Sequence, residues 1–326
     1  MEKVTVVIPN YNGMKFLPGC LEALLPENQK AAVEYEVLVI DNGSTDGSVE
    51  YLRDCSWVRT IYLDENTGFC HAVNLGIQKS RTPYVILLNN DTKAREGFVQ
   101  ALYDAIYRRK MCFSVSAQML MWDNENLIDD AGDLYCCLGW NRSRGKGKPA
   151  DKYDRPCRIF SACGGAAIYR KSVFNIIGYF DELHFAYLED LDIGYRAKLY
   201  GYHNRYEPKA KVVHYGSAST GSRYNERKTE LAAANSIYVV IKNMPLWQII
   251  FNFLPLLAGF TAKYVFFCEK KMGKKYVNGL AAGWRRAFSK EGKAQRVRLG
   301  GDGFMDVLKI QWELWCNMIP ILKDGN

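Results

Sequence analysis

Residues 4 to 13 read Val-Thr-Val-Val-Ile-Pro-Asn-Tyr-Asn-Gly, an aliphatic and β-branched run that ends in a polar turn. An uninterrupted apolar run of this kind is typical of a strand that is buried on both faces of a sheet. The same order returns at residues 35 to 48, where Tyr-Glu-Val-Leu-Val-Ile precedes Asp-Asn-Gly-Ser-Thr-Asp-Gly-Ser. It returns again at residues 84 to 92, where Tyr-Val-Ile-Leu-Leu precedes Asn-Asn-Asp-Thr. These units predict the central strands of one sheet.

Helical patterns separate these strands. The predicted elements between them are a helix from Phe16 to Leu25, a short helix through Tyr51 and Leu52, a strand from Val58 to Leu63, and helices from Cys70 to Lys79 and from Glu96 to Arg108. Regular alternation of strands and helices predicts an α/β fold with a mixed, mostly parallel sheet and helices on both faces.

Polar residues follow the predicted strands at Pro9 to Tyr11, at Asp41 and at Asp91. In sheets of this type, ligands bind beyond the carboxyl ends of the strands. Two acids at equivalent positions, beside loops rich in Asn, Gly and Ser, predict a site for a polar, phosphorylated ligand that is held partly through a metal ion. The chain lacks the glycine-rich signatures of dinucleotide-dependent dehydrogenases and of P-loop enzymes, which argues against both classes.

A second group of polar residues lies between residues 159 and 192. We predict one strand from Ile159 to Tyr169, whose paired glycines, Gly164 and Gly165, allow a ligand or another backbone to come close. The run Glu-Asp-Leu-Asp at 189 to 192 then opens a helix with one buried face, and helix N-termini favour acids. Taken alone, these acids are either capping residues or part of a pocket wall.

Two short strands, Tyr202 to Tyr206 and Lys211 to Tyr215, are predicted next, and His214 lies near the end of the second. A single histidine is most often structural, but one that follows several strand-end acids is also placed to complete a metal shell. The sequence leaves both interpretations open.

The chain changes character between about Gly221 and Asn225, where helical patterns stop alternating with strands. We therefore predict a catalytic domain over residues 1–223 and a C-terminal helical region over residues 224–326. Ten cysteines without a Cys-x-x-Cys pair predict free thiols in a reducing cytosol. The first residues lead directly into a strand, which predicts no signal peptide and a cytoplasmic protein.

Apolar and basic residues are concentrated in the C-terminal helical region. Residues 246–267 are rich in aromatic and aliphatic side chains, but Asn252, Pro255 and Lys263 interrupt them, which disfavours a membrane span. Residues 269–298 contain ten Lys or Arg against two Glu, in a chain of net charge +8. This pattern predicts peripheral contact with an anionic membrane surface rather than with nucleic acid. Packing on the catalytic domain, or a homo-oligomer interface, is the alternative.

Several motifs, in this order and spacing, resemble the family 2 glycosyltransferases of GT-A fold, most closely the branch of bacterial rhamnosyltransferases for cell-surface polysaccharides. The resemblance covers roughly residues 3 to 220. It rests on Val-Val-Ile-Pro-Asn-Tyr-Asn at 6–12, Val-Ile-Asp-Asn-Gly-Ser-Thr-Asp at 39–46, Asn-Thr-Gly-Phe at 66–69 with Asn-Leu-Gly at 74–76, Leu-Leu-Asn-Asn-Asp at 87–91, Gly-Gly-Ala at 164–166 and Glu-Asp-Leu-Asp at 189–192.

The resemblance implies a role for each matching residue. The residues that would line the nucleotide are Pro9, Tyr11, Asp41, Ser44, Gly68, Asn74 and Asn90, with Asp41 accepting from the base. Asp91 and His214 would bind Mg²⁺ or Mn²⁺, Asp190 would be the catalytic base, and Gly164, Gly165 and Glu189 would face the acceptor. Asn89 and Asn90 stand where many members of the family carry Asp.

This chemistry accounts for the residue types. A sugar that leaves a nucleoside diphosphate develops negative charge on phosphate oxygens, which a hard cation stabilises. The attacking hydroxyl must lose a proton, and a carboxylate within hydrogen-bond reach removes it. One base and no nucleophile implies inversion at the anomeric carbon.

The resemblance favours dTDP-rhamnose as the sugar donor, with UDP-sugars as the alternative, because Asp41 would suit either thymine or uracil. The expected acceptor is a lipid-linked saccharide on the inner face of the cell membrane. Two other classes stay open on the sequence alone. A sugar nucleotidyltransferase would carry a Gly-rich basic turn after the first strand, and a non-catalytic sugar-nucleotide-binding protein would not need Asp190.

Overall fold

The structure is a computed structural model that describes residues 3–216, 225–297 and 303–323. The strands are Val4–Asn10 (β1), Tyr35–Asn42 (β2), Arg59–Leu63 (β3), Tyr84–Leu88 (β4), Thr92–Ala94 (β5), Cys112–Met121 (β6), Ile128–Asp130 (β7), Asp133–Tyr135 (β8), Asn141–Ser143 (β9), Cys157–Ile159 (β10), Ala166–Arg170 (β11) and His203–His214 (β12). The helices are Leu17–Glu22 (α1), Pro26–Gln29 (α2), Ser48–Asp54 (α3), Phe69–Lys79 (α4), Phe98–Tyr107 (α5), Lys171–Ile177 (α6), Glu189–Leu199 (α7), Glu226–Asn243 (α8), Leu246–Phe251 (α9), Phe253–Glu269 (α10), Gly273–Phe288 (α11), Lys290–Gln295 (α12), Phe304–Cys316 (α13) and Met318–Lys323 (α14). The predicted boundary at residues 223 and 224 lies outside the described residues.

Ten strands form one mixed sheet in the order β10-β12-β6-β11-β4-β1-β2-β3, with β5 paired to β12 and β7 paired to β6. β1 is parallel to β2 and β4, and β2 is parallel to β3. β11 is antiparallel to both of its neighbours, β4 and β6. The prediction of a mixed sheet with helices on both faces is confirmed.

Both faces of β1 are buried, which explains its continuous apolar sequence. Val6 and Ile8 belong to the core under α1 and α5, whereas Val7 belongs to the core under α4. At Gly76 of α4, an added Cβ would lie 2.3 Å from a methyl carbon of Val7. The glycine therefore lets α4 lie close against the centre of the sheet.

Three predicted strands were wrong in their bounds. The single strand predicted from Ile159 to Tyr169 is two strands, β10 and β11, because the chain turns between them at the paired glycines. The two strands predicted around residues 202 to 215 form one long strand, β12. Its pairing with β6 shifts register between Glu207 and Lys211, where Pro208 supplies no amide hydrogen to the ladder.

The C-terminal helices pack directly on the part of the chain that carries the sheet. One buried cluster combines Tyr135, Phe160 and Leu191 with Val239 of α8 and Leu314 of α13. No helix within the described ranges has the length and apolar character needed to cross a membrane. All ten cysteines lie in the described residues and are free thiols, as the sequence predicts.

Candidate active site

Asn10 lies at the centre of the carboxyl edge of the sheet. It ends β1 and faces Asp41 in register on β2. Its Nδ2 donates to Asp41 Oδ2 at 2.8 Å and to Ser44 Oγ at 3.2 Å, while its Oδ1 accepts from Asn90 Nδ2 at 2.7 Å. The amide of one side chain therefore ties together the loops that follow β1, β2 and β4.

The residue type at position 90 follows from this arrangement. Because Asp41 takes the NH₂ group of Asn10, the atom that Asn10 offers to Asn90 is an acceptor, and Asn90 must donate. An aspartate at this position could not donate when ionised. Gly13 completes the arrangement, since an added Cβ would lie 2.0 Å from Asn90 Nδ2.

Asp41 is completely buried, and its two oxygens accept from Asn10 and from the amide of Ser44. In this structure the carboxylate shapes the loop, and its direct bond to a base stays a prediction. Tyr11, which follows Asn10 in the sequence, is exposed, and Ser44 is half-buried.

Asp91 and His214 meet because β5 pairs with the end of β12, where Thr92 stands opposite His214. His214 Nε2 lies 3.4 Å from Asp91 Oδ1. On the other side of the ring, Nδ1 lies 2.6 Å from Asp129 Oδ2. Asp129 belongs to the short strand β7, and its only local sequence signal is a pair of adjacent acids in an apolar setting.

Asp129 determines which ring nitrogen faces Asp91. Burial raises the pKa of Asp129, but the hydrogen bond to His214 and the charge of Lys146 outweigh it and lower that pKa to about 2. The ionised carboxylate accepts from Nδ1, so Nε2 is directed at Asp91. Burial lowers the pKa of His214, but the bonds to Asp129 and Asp91 prevail and raise it to about 9.

Asp91 and His214 fit a divalent cation that takes its remaining ligands from a bound substrate. Within the described residues, no group of three or more His, Cys, Asp and Glu side chains forms a ready metal cage. Asp91 and, once it has released its Nε2 proton, His214 offer two ligands, and ions such as Mg²⁺ commonly complete their shell with phosphate oxygens and water. A metal-binding imidazole is typically oriented by a carboxylate on its other nitrogen, which is the position of Asp129.

Asp190 lies in the first turn of α7, with Glu189 and Asp192. A Cβ added at Gly164 would lie 2.5 Å from Asp190 Oδ1, so only glycine allows the strand connection to approach this carboxylate so closely. The neighbouring Gly165 accepts through its carbonyl from the amide of Asn89 at 2.9 Å. The base candidate is thus linked to the loop that carries Asn90 and Asp91.

Both acids that open α7 are poorly solvated. Asp190 Oδ1 and Glu189 Oε2 are buried and have no hydrogen-bond partner. Burial, with the charges of Glu189 and Asp130, raises the pKa of Asp190 well above its ordinary value. Burial and the charge of Asp133 raise the pKa of Glu189 to about 7, despite an opposing backbone hydrogen bond. A carboxyl group with a raised pKa is a stronger base once it is ionised.

Two other predicted residues lie beside the segment that precedes α7. Gly68 has φ +89°, and an added Cβ would lie 2.8 Å from the ring of Phe185. The amide of Asn74 bonds the main chain of Phe180 and the carboxylate of Glu182. The structure therefore brings Gly68 to the site, but it directs Asn74 to the segment behind the site rather than to the loops around Asn10.

A buried network of ion pairs, which the sequence did not predict, holds the first turn of α7 against α8. Asp192 accepts from Arg196 at 2.8 Å, from Lys242 at 2.9 Å and from Asn243 at 2.8 Å. Lys242 also lies 2.7 Å from Asp181. Arg196 and Lys242 lower the pKa of Asp192 far below its ordinary range, although burial alone would raise it. Of the three acids in this turn, Asp192 is therefore structural.

Comparisons with known proteins show the family of the chain. The model of glycosyl transferase family 2 matches residues 5–178, more than half of the chain, and the chain belongs to this family. It is 29% identical over 212 residues to the N-acetylglucosaminyl-diphospho-decaprenol L-rhamnosyltransferase of Mycobacterium tuberculosis, a match that covers 57% of this chain and 68% of that protein. It is 25% identical over 138 residues to the glycosyltransferase GlyG of Streptococcus pneumoniae, covering 41% of this chain and 43% of that protein.

A third relative is the teichoic acid poly(glycerol phosphate) polymerase of Staphylococcus epidermidis, which is 31% identical over 96 residues, covering 28% of this chain and 13% of that protein. The chain thus spans less than half the length of two of these three relatives. The mannosyltransferase PcManGT of Pyrobaculum calidifontis, solved with GDP-Man and Mn²⁺, matches with a TM-score of 0.52 and 14% identity over 99% of this chain and 88% of that chain. GalNAc-T7, solved with UDP, GalNAc and Mn²⁺, matches with a TM-score of 0.57 and 15% identity, and the match covers 74% of this chain and 48% of that chain. The predicted GT-A fold is confirmed.

Proposed function

We propose that this protein is an inverting glycosyltransferase that moves rhamnose from dTDP-rhamnose to a hydroxyl of a lipid-linked saccharide in cell-surface polysaccharide synthesis. One observation carries the proposal. A continuous set of contacts joins Asp41 through Asn10 to Asn90, and joins the adjacent Asn89 through Gly165 to the Asp190 position. These contacts support the proposal because they link the loops proposed to bind the nucleotide and the metal ion with the proposed base.

The sugar nucleotide binds over this edge. Pro9, Tyr11 and Ser44 offer the surface for the nucleoside, and Asp41 holds their loops in place. Asp91 and His214 would hold Mg²⁺ or Mn²⁺, which supplies charge neutralisation for the diphosphate of the leaving group. The relative that is an L-rhamnosyltransferase supports rhamnose and a lipid-linked acceptor for this chain.

Asp190 removes the proton of the attacking hydroxyl. Its carboxylate lies against Gly164, where an added Cβ would be 2.5 Å from Asp190 Oδ1. The hydroxyl oxygen attacks the anomeric carbon as the bond to the diphosphate breaks, and the proton passes to Asp190. Since no side chain forms a bond to the sugar, the anomeric centre inverts once.

The substitution Asp190→Asn tests the proposal. General-base catalysis contributes roughly 10²–10⁴-fold, so transfer should fall by at least that lower factor. Binding of dTDP-rhamnose with Mn²⁺, measured by calorimetry, should stay near the wild-type value because the base does not contact the nucleotide. Retention of more than about a tenth of wild-type turnover would reject Asp190 as base.

Release of free nucleoside diphosphate from a panel of sugar nucleotides identifies the donor. A UDP-sugar that is turned over faster than dTDP-rhamnose would replace the proposed donor. A requirement for pyrophosphate would instead indicate a nucleotidyltransferase, and no release with any donor and acceptor would indicate a binding protein.

We also propose that the C-terminal helical region holds the enzyme on the anionic inner surface of the cell membrane. Many large apolar side chains of this region are exposed: Leu246, Trp247, Ile250, Phe251, Phe253, Leu254, Leu257, Tyr264, Val265, Phe266, Val277, Trp284, Phe288, Phe304, Met305, Leu308, Trp312, Trp315, Ile319 and Leu322. The rings of Trp247 and Phe304 lie 5.8 Å apart, and those of Phe251 and Trp315 lie 5.2 Å apart, so α9 and α13 share one exposed surface.

Basic residues accompany this apolar surface. On α11, the exposed positions Lys274, Val277, Trp284, Arg285 and Phe288 recur at helical spacing, so one face carries both kinds of side chain. Such a face suits the boundary between acyl chains and anionic head groups, where each basic residue contributes about 1 kcal/mol.

Flotation with liposomes tests the membrane proposal. The protein should float with vesicles that contain anionic lipid at low salt, and high salt should release only part of it, because the apolar contact persists. Replacing Trp284 and Phe288 by Ser should weaken flotation. Equal and negligible flotation with neutral and anionic vesicles would reject the proposal and leave an oligomer interface as the explanation of the exposed surface.

A further inference from the structure

The segment that leads into α7 has an unusual backbone. Phe185, Tyr187 and Leu188 have φ values of 60°, 70° and 65°. Residues with side chains rarely adopt this left-handed region, and they persist there only where surrounding contacts hold them. Since Leu188 directly precedes Glu189 and Asp190, whatever holds this segment also determines where the base candidate lies.

Asn235 of α8 makes the main contacts that hold this segment. Its Nδ2 donates to the carbonyl oxygens of His184 at 3.1 Å, Ala186 at 2.8 Å and Tyr187 at 2.7 Å. Asn235 is fully buried. Its Oδ1 accepts from Arg286 of α11, and because a guanidinium can only donate, Arg286 fixes which end of the amide faces the segment.

Two glycines bring Arg286 to this place. A Cβ added at Gly279 would lie 2.3 Å from the carbonyl oxygen of Glu230, and one at Gly283 would lie 2.1 Å from that of Ala234. These short distances show that α11 lies directly against the backbone of α8, which only glycine permits. Arg286 follows Gly283 by less than one helical turn, so this packing determines its reach.

We propose that Asn235 is a positioning residue for the catalytic base, so that the C-terminal helical region is a working part of the active site and not only a membrane contact. The proposal rests on the role proposed above for Asp190. The same segment also contacts the start of α4, because the Phe185 carbonyl accepts from the amide of Phe69 at 3.2 Å.

The substitution Asn235→Asp tests this role, because it keeps the shape of the side chain but replaces the donating NH₂ group by an acceptor. The three carbonyl oxygens then face a carboxylate oxygen. We expect kcat to fall about 10- to 100-fold, as for a reacting group displaced by about 1 Å. The KM and Kd for dTDP-rhamnose with Mn²⁺ should change less than about twofold, because the loops around Asn10 are untouched.

Asn252→Asp is the matched control. Asn252 is also a fully buried amide of the C-terminal helical region, but it bonds Gln248 and Gln311 and lies outside the contacts of residues 184–188. Its kcat should stay near wild type even if its unfolding temperature falls. Equal losses of kcat in the two variants would show a general effect of destabilisation and would overturn the proposal.

A second measurement separates this inference from the proposed function. In the Asp190→Asn background, Asn235→Asp should cause no further loss of the residual transfer rate, because no base remains to be positioned. Losses that multiply would overturn the positioning role. If Asp190→Asn alone keeps wild-type turnover, the base assignment itself fails. If Asn235→Asp does not fold, Arg286→Met is measured instead, because it leaves Asn235 intact. This variant must show the same fall in kcat at constant KM. A wild-type kcat in Arg286→Met would overturn the proposal.

Discussion

Replacing Asn90 by Asp would introduce the acid that the family resemblance leads us to expect at this position, and the structure predicts that this change weakens the candidate site. Asn90 Nδ2 donates to Asn10 Oδ1 at 2.7 Å, and Asn10 is held in that orientation by its 2.8 Å bond to Asp41. A carboxylate at position 90 would place two acceptor oxygens against each other.

The magnitude follows from the lost bond. Leaving a part-buried acceptor without its partner costs roughly 1–3 kcal/mol. Because Asn10 joins three loops, we expect this cost both in the free energy of unfolding and in the binding of the sugar nucleotide. Fully expressed in binding, it corresponds to a Kd about 5- to 150-fold weaker. The added negative charge beside Asp91 attracts a cation and opposes this loss, but it cannot restore the bond to Asn10.

Urea unfolding without nucleotide and calorimetry of dTDP-rhamnose with Mn²⁺ provide the measurements. Asn89→Asp is the control, since it adds the same charge at the neighbouring position, next to Gly165, without removing a bond to Asn10. If Asn90→Asp unfolds at the wild-type urea concentration and binds the sugar nucleotide as tightly as wild type, the reasoning is refuted.

Two further predictions concern the acids of α7. Glu189→Gln should move the acid limb of the pH profile of kcat to lower pH, because burial and the Glu189 charge raise the pKa of Asp190. A base works only when it is ionised, so transfer is lost as the pH falls through that raised pKa. An acid limb that does not move would contradict this prediction. Lys242→Met removes the cation between Asp181 and Asp192 and should lower the free energy of unfolding by about 3–5 kcal/mol. Adding Asp181→Asn should recover part of that loss in urea titrations, and a further loss would show that charge balance is not the cause.

The sequence predicted those parts of the molecule that depend on local pattern. β1, β2 and β4 were recognisable because each is a short apolar run followed by turn residues, and the rule that ligands bind at carboxyl ends brought Asp41 and Asp91 to one edge. The local pattern also indicated a close approach at the paired glycines, Gly164 and Gly165, but it did not predict the turn that they form between β10 and β11. Pattern alone does not distinguish a buried strand from a buried turn when the residues are small.

Asp129 and Asn235 were missed because their roles depend on contacts between distant parts of the chain. Asp129 is 85 residues from His214 in sequence, and Asn235 is about 50 residues from the carbonyl groups that it binds. Neither stands in a motif. Only the pairing of β7 and β12 with β6, and the packing of α8 beside α7, bring them to the site.

The C-terminal helical region packs on the rest of the chain and also exposes apolar side chains, because its helices have two different faces. On α11, Gly279 and Gly283 face α8, and the packing of the two helices brings Arg286 to Asn235. Trp284 and Phe288 are exposed on the other side of the same helix. One helix thus contacts Asn235 and contributes to the exposed apolar surface within a single turn. If the exposed face binds a membrane as proposed, the membrane would hold the same helix that contacts Asn235 through Arg286, so one rigid element would position both the proposed base and the proposed lipid-linked acceptor.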